Sequence, residues 1–189
     1  MKSEMNPWKI NESKVVYNNN WIKVTEHQVI NPAGKNGIYG VVHYKNTAVG
    51  VIPLDEENNT WLVGQYRFSL NQYSWEIPEG GAIFDEDPVI GAARELEEET
   101  GLKATTYTKI VQMHLSNSVS DEFAVIYLAQ GLSEHTASPE DTEQLVVKKV
   151  PFETAYGMVE EGIITDSMSV AAILKVKLML LNDQLPEVI

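Results

Sequence analysis

Residues Gly80 to Leu102 read GGAIFDEDPVIGAARELEEETGL. From Pro88 to Thr100 this stretch has no turn signal and is dense in Ala, Leu, Arg and Glu. Those residues are good helix formers, and Gly101 just past the end fits a C-terminal stop. On that helix Glu95, Glu98 and Glu99 stand at i, i+3 and i+4 and share one face, while Val89, Ala93 and Leu96 lie on another, apolar side. Like charges so spaced repel by tenths of a kcal/mol per pair, more when recessed from water, so something positive should compensate. Hard divalent cations such as Mg²⁺ or Mn²⁺ suit carboxylate oxygens and bridge to phosphates, and Arg94 could fork onto one carboxylate. A solvated acidic helix face is the competing reading of the helix alone.

Working outward, the sequence before this helix is mostly β-like. Residues 14 to 30 hold two short strands split by Asn18-Asn19-Asn20, and a turn cluster at 31 to 37 leads into a strand over 38 to 44. Strands are expected at 48 to 54, 60 to 68 and 73 to 77. Beyond the helix, strands are expected at 104 to 115, 122 to 129 and 144 to 150. Pro151 can open a further helix, and Asp166 or Ser167 can cap the last. Strands around one long helix, with more helices toward the C-terminal end, predict a mixed α/β sandwich rather than a doubly wound parallel sheet.

Composition narrows the function. The 189 residues carry 14 Lys+Arg against 27 Asp+Glu, a formal charge of −13, with four His and no Cys. Absent cysteine excludes disulfides, thiolate zinc sites and a cysteine nucleophile, so a metal would be held by oxygen or imidazole. The negative charge and the lack of any Lys/Arg run argue against nucleic acid as a partner. Neither a signal-peptide core in MKSEMNPWKINESK nor a membrane span is found, since Lys175 and Lys177 break the most apolar late stretch. A cytoplasmic protein with no membrane partner is the expectation. Acidity does not exclude phosphate chemistry, because cations gathered on carboxylates invert the local sign.

The stretch also matches, without a mismatch, the pattern Gly, five residues, Glu, seven residues, Arg-Glu-aliphatic-x-Glu-Glu-x-Gly-aliphatic. The positions are Gly80, Glu86, Arg94, Glu95, Leu96, Glu98, Glu99, Gly101 and Leu102. At background frequencies of roughly 0.05 to 0.1 per residue, seven fixed identities coincide at a given site with probability on the order of 10⁻⁸. The chain thus resembles the Nudix hydrolases, with its Nudix box at 80–102. The resemblance implies an α/β/α sandwich of mixed sheets with a small N-terminal β subdomain, divided as 1–45 for the N-terminal strands and 46–189 for the hydrolase domain. It also implies Mg²⁺-dependent hydrolysis, Mn²⁺ substituting, of nucleoside diphosphates linked to another moiety.

Carried over by position, Glu95 and Glu99 are the main metal ligands, Glu98 a further ligand or water-positioning group, and Glu86 and Arg94 a supporting pair. The backbone carbonyl of Glu79 is a further ligand. Outside the box, Gln65-Tyr66-Arg67, the run from Ser74 to Gly81 and the stretch from Val150 to Asp166 are similar to ADP-ribose and nucleotide-sugar pyrophosphatases. That subgroup implies a homodimer built by the N-terminal strands, with Arg67 on the diphosphate or sugar and Glu76 contacting substrate or orienting Arg67. A salt bridge or buried ion pair is the structural alternative for both. The loop 114–120 lacks the proline common in strict ADP-ribose enzymes, so a broader nucleoside diphosphate sugar hydrolase, accepting ADP-ribose or GDP-mannose, is expected. A glutamate in the loop 138–143 would be the general base, Glu140 first and Glu143 second, with Glu122 a further candidate ligand or phosphate-facing acid. Tyr17, Tyr39 or Trp75 could stack on the base. The other function class is a non-catalytic nucleotide-sugar-sensing module, which could dispense with glutamates that this chain keeps.

Overall fold

The computed structural model describes residues 5–138 and 144–188. They divide into two compact units, residues 1–46 with 114–122, and residues 47–113 with 123–189.

In the first unit, β1 (Lys9–Asn18), β2 (Ile22–Ile30) and β3 (Asn36–Tyr44) form an antiparallel meander in the order β1-β2-β3. The Asn-rich turn works as its composition suggests: the Asn19 side chain accepts hydrogen bonds from the Trp21 and Ile22 amides at 2.9 and 2.8 Å. Segment 114–122, distant in sequence, joins this unit. Val42 donates its amide to the Val119 carbonyl, and the Tyr39 hydroxyl donates to the Ser118 carbonyl at 2.6 Å.

The second unit holds two sheets. One is four-stranded, β7 (Glu79–Ala82), β4 (Thr47–Pro53), β9 (Phe123–Glu134) and β8 (Leu102–His114) in that order. It is mixed, since β4 runs antiparallel to β7 and parallel to β9. The other is β10 (Val146–Pro151), β5 (Asn59–Arg67) and β6 (Gln72–Glu76), all antiparallel.

Helix α1 (Pro88–Thr100) covers one face of the four-stranded sheet, packing Ala92 and Leu96 into a cluster with Val49, Val51, Val125 and Tyr127. Alternation along β4 and β9 sends Ala48, Ile52, Ala124, Ile126 and Leu128 to the opposite face. Helix α3 (Ser167–Leu181) packs on the same two strands and α2 (Phe152–Glu160) packs on α3. The result is helix on sheet on helix, with both sheet faces apolar and buried. Among the described residues no helix is long and apolar enough to cross a membrane.

Candidate active site

The ends of α1 are set locally. Asp87 caps it by accepting the Val89 amide, Pro88 opens it, and Gly101 closes it in the left-handed region at φ 71°, its amide donating to the Glu97 carbonyl. Along its inner face Gly91 lets the helix approach β7 closely, since a Cβ there would lie 2.7 Å from Ala82 Cβ. That approach brings the box glutamates onto the backbone of residues 79 to 81.

The Glu95 carboxylate fills the space that a side chain on Gly80 would need, a Cβ there falling 2.2 Å from its Cδ. Glu95 Oε1 accepts the Gly81 amide at 3.3 Å and lies 3.5 Å from Arg94 Nη2. One turn on, Glu99 is 2% exposed, and its Oε2 accepts the Glu79 amide at 3.0 Å. Arg94 donates to Glu86 Oε1 at 3.2 Å and to the Gly81 carbonyl at 2.7 Å, while Glu86 also accepts the Ile83 amide. Glu86 and Arg94 thus tie the loop before the helix to the helix. Glu98 is half-buried on α1, its carbonyl accepting the Ser138 amide.

On the other sheet Arg67 ends β5 and Glu76 ends β6, two positions on one face of an antiparallel pair. Arg67 Nε donates to both Glu76 oxygens at 3.0 Å, and Nη2 donates to Glu76 Oε2 and to Glu79 Oε1, each at 2.6 Å. Gln65 adds a weaker contact to Glu76 at 3.4 Å. Glu76 is 2% exposed, so the ion pair is buried on the acidic side. Burial alone lowers a guanidinium's pKa, but the bonds from Glu76 and the charges of Glu79 and Glu76 hold Arg67 above its ordinary value. For Glu79 the balance goes the other way. Burial, then the like charges of Asp166 and Glu76, push its carboxyl well above the usual range despite Arg67. Its Oε2 is buried with no hydrogen-bond partner among the described residues.

Three contributors escaped the sequence reading: the Glu79 side chain, Asp166 and Ser169. Asp166 caps α3 by accepting the Ser169 amide at 2.7 Å and adds negative charge near Arg67 and Glu79. Ser169 Oγ accepts the Ile77 amide at 2.9 Å, anchoring the strand end that leads into Glu79. In the sequence Asp166 reads as a helix cap and as the end of the stretch similar to the pyrophosphatases; Ser169 carries no signal. Glu122 belongs to the N-terminal unit, where its side chain hydrogen-bonds the Tyr44 hydroxyl. Glu140 and Glu143 lie outside the described residues.

A nucleoside diphosphate sugar hydrolase N-terminal domain model matches residues 8–42, and a NUDIX domain model matches residues 44–165. The chain belongs to the Nudix family. Its Nudix box is therefore the loop, strand and helix just described. Two ADP-ribose pyrophosphatases are similar to it. That of Mycobacterium tuberculosis is 35% identical over 68% of this chain and 64% of that protein, and that of Bacillus subtilis 34% over 75% and 77%. A methanol dehydrogenase activator of Bacillus methanolicus is 30% identical over 86% of this chain and 88% of its own length. The match to the mycobacterial protein spans under two thirds of its length. The crystal structure of an ADP compounds hydrolase superposes with a TM-score of 0.83 over 96% of this chain and 98% of that one at 18% identity, and shows the same fold.

Nudix hydrolases generally use divalent metals, and the donor set here suits one: hard carboxylate oxygens, the Gly80 cradle that admits Glu95, and the buried, unpartnered Oε2 of Glu79. Among the described residues no three acidic or imidazole side chains already converge as a closed metal centre. Glu95 and Glu99 instead accept backbone amides of the loop.

Proposed function

We propose that the chain is a divalent-cation-dependent diphosphatase of nucleoside diphosphate sugars, with ADP-ribose and GDP-mannose among its substrates and a nucleoside monophosphate and a sugar phosphate as products. The observation that carries this reading is that both halves of a diphosphate site meet at Glu79. Its amide holds the box glutamate Glu99, and its side chain holds Arg67. The ADP-ribose pyrophosphatase relatives and the match of residues 8–42 support the substrate class.

Glu95, Glu99, Glu98 and the Glu79 carbonyl would hold Mg²⁺, or Mn²⁺ in its place. A divalent cation bound there lowers the pKa of water and offsets the charge of phosphate oxygens. Arg67, kept charged and in one plane by Glu76 and Glu79, presents its remaining edge to the diphosphate, for which a fixed guanidinium suits better than an ammonium. Glu86 and Arg94 hold the box loop against α1. Glu140, with Glu143 second, takes the proton of the attacking water as the new P–O bond forms and the bridging P–O bond breaks. Glu122 is a further acid of the proposed chemistry. The exposed Ile10, Val15, Val16 and Tyr17 of β1 support a homodimer made through residues 1–45. The cytoplasm, where such substrates are made and used, is its place.

The test is turnover of ADP-ribose, GDP-mannose, ADP-glucose, UDP-sugars and nucleoside triphosphates with Mg²⁺ and with Mn²⁺. Diphosphate sugars should be cleaved well ahead of triphosphates; comparable triphosphate cleavage, or no diphosphate sugar cleaved, refutes the proposal. Glu99→Gln should abolish cation-dependent turnover, and Glu140→Gln should slow hydrolysis while cation binding is kept.

A further inference from the structure

A guanidinium holds its N–H donors in one plane and offers an anion two edges to fork onto, Nε with Nη2 and Nη1 with Nη2. In Arg67 the first edge is full, since Nε and Nη2 both reach Glu76, at 3.0 and 2.6 Å. The other hydrogen of Nη2 goes to Glu79 Oε1 at 2.6 Å and takes half of the second edge. Nη1 has no acceptor among the described residues, and the side chain is 35% exposed. What a ligand can reach is therefore Nη1 alone.

Glu79 is not a surface group that a ligand brushes aside. Its backbone is paired with Gly50 of β4, its amide donates to Glu99 Oε2, and its side chain is only 9% exposed. Its Oε2 is buried with no hydrogen-bond partner among the described residues, and Asp166, Glu76 and Glu99 act on it as like charges. Buried polar atoms nearly always find partners, so an orphaned one beside a site points to a role other than stability. Nor does the fork of Arg67 onto Glu76 need Glu79 to be complete.

We infer that the Glu79 side chain decides which anions Arg67 accepts: by holding Nη2 it closes the second edge and leaves Nη1 to make a single hydrogen bond to one phosphate oxygen. An open guanidinium edge takes any small anion with two adjacent oxygens, such as inorganic phosphate or a carboxylate. With half of that edge occupied, such an anion gains one bond and meets a carboxyl group where the second would form. A ligand held at several other points, as a diphosphate sugar on bound cations would be, loses little by meeting Nη1 alone. Glu79 is thus a positioning residue, acting through Arg67, that keeps small free anions off the diphosphate anchor. For the substrate this rests on the proposed diphosphatase reading; for the geometry of Arg67 it does not.

The experiment titrates inorganic phosphate into the ¹⁵N-labelled full chain in excess EDTA and follows the arginine side-chain signals at low temperature, where Nη hydrogens exchange slowly. Only Arg67 and Arg94 contribute, and Arg67→Lys assigns them. In wild type the Nη1 signals of Arg67 should move with phosphate while its Nη2 signals stay fixed. Glu79→Ala should bind phosphate about tenfold tighter, the scale of one added hydrogen bond, with Nη1 and Nη2 moving together. Glu79→Gln keeps an oxygen for Nη2 and should gain less, and adding Arg67→Lys to Glu79→Ala should abolish the gain. The inference is overturned if wild-type Nη2 moves with Nη1, or if Glu79→Ala binds phosphate as wild type does or more weakly, as a purely structural brace requires. It is also overturned if Glu79→Gln gains as much as Glu79→Ala, which makes charge alone the cause. The wild-type signals decide the matter even if Glu79→Ala does not fold. If Glu79→Ala gains but the enzyme with Mg²⁺ or Mn²⁺ cleaves no diphosphate sugar, the diphosphatase reading fails and the restriction on Arg67 stands. If diphosphate sugars are cleaved and Glu79→Ala gains nothing, the reverse holds.

Discussion

Gly80→Ala separates folding from chemistry at the box. The new Cβ would lie 2.2 Å from Glu95 Cδ and 2.5 Å from both carboxylate oxygens. Those atoms are the far end of a flexible side chain, so Glu95 swings away and the backbone keeps its path. What is lost includes a long hydrogen bond from the Gly81 amide and a 3.5 Å ion pair with Arg94, which is about a third exposed. Together these contribute about 1 kcal/mol at most, and for a chain of this size that lowers Tm by about 2–4 °C. Activity should respond far more, because an ångström of misplacement at a reacting centre costs about 10²-fold in rate. The assay is thermal unfolding alongside kcat/KM and the half-saturating Mg²⁺ concentration, for Gly80→Ala, Glu95→Gln and the double variant. Expected are a small Tm change, a fall in kcat/KM of about 100-fold, and a double variant little worse than Glu95→Gln alone, since both changes remove the same carboxylate. Additive losses in kcat/KM would show that Gly80 acts other than through Glu95. A Tm drop beyond about 10 °C would show that the carboxylate cannot move aside and that the cradle is rigid backbone packing.

Gly91→Ala should behave in the opposite way: its Cβ meets Ala82 Cβ at 2.7 Å and Cα at 3.0 Å, neither of which can rotate away, so α1 must lift and stability falls by about 1–3 kcal/mol in denaturant unfolding despite the better helix former. Ser169→Ala leaves the Ile77 amide without its acceptor 92 residues away in sequence and should cost about 1–3 kcal/mol, whereas Ser169→Thr, if its hydroxyl keeps the bond, should cost less. For Asp55, burial raises the pKa, but bonds from Lys149, Asn59 and the Glu57 amide outweigh it and bring it down to about 2 from 3.8. A lowered folded pKa means that its stabilising contribution is complete above pH 3.8 and disappears as pH falls through about 2; the gap between wild type and Asp55→Asn in urea unfolding should close over that window.

The parts legible in the sequence are those with local causes. Helix α1 occupies 88–100 as expected because Asp87, Pro88 and Gly101 carry its start and stop signals within a residue of each end. The three-asparagine turn and the Asp166 cap were readable for the same reason. Strand β7 was not, since Glu-Gly-Gly-Ala has little strand propensity and is held extended only by β4, whose Thr47 to Gly50 supply the ladder. Nor could the sequence place residues 114–122 with β3, because the backbone bond from Val42 to Val119 and the side-chain bonds of Tyr39 and His43 to Ser118 and Asp121 join groups more than 70 residues apart, which no local pattern encodes. The box glutamates were identified by spacing. The carboxylate of Glu79 was not, because a side chain's burial beside Arg67 depends on two sheets meeting, which no local pattern encodes.

Of the 14 basic residues in the chain only two are arginines, Arg67 and Arg94, and both lie at this site. Each bridges two carboxylates: Glu76 and Glu79 for Arg67, Glu86 and Glu95 for Arg94. A lysine offers one compact charge and cannot fork onto a carboxylate while reaching a second acceptor in a fixed plane, so the choice of arginine follows from the geometry. The formal −13 therefore conceals an ordered arrangement in which two guanidiniums partly neutralise the acidic site before any cation arrives. Arg67 stays with a buried pair, and breaking one partner of such a pair costs about 3–5 kcal/mol. Arg94 holds Glu95 at a looser 3.5 Å in a third-exposed contact worth under about 1 kcal/mol. The two arginines thus differ in setting: Arg67 is held against the buried Glu76 and Glu79, and Arg94 against the more exposed Glu86 and Glu95.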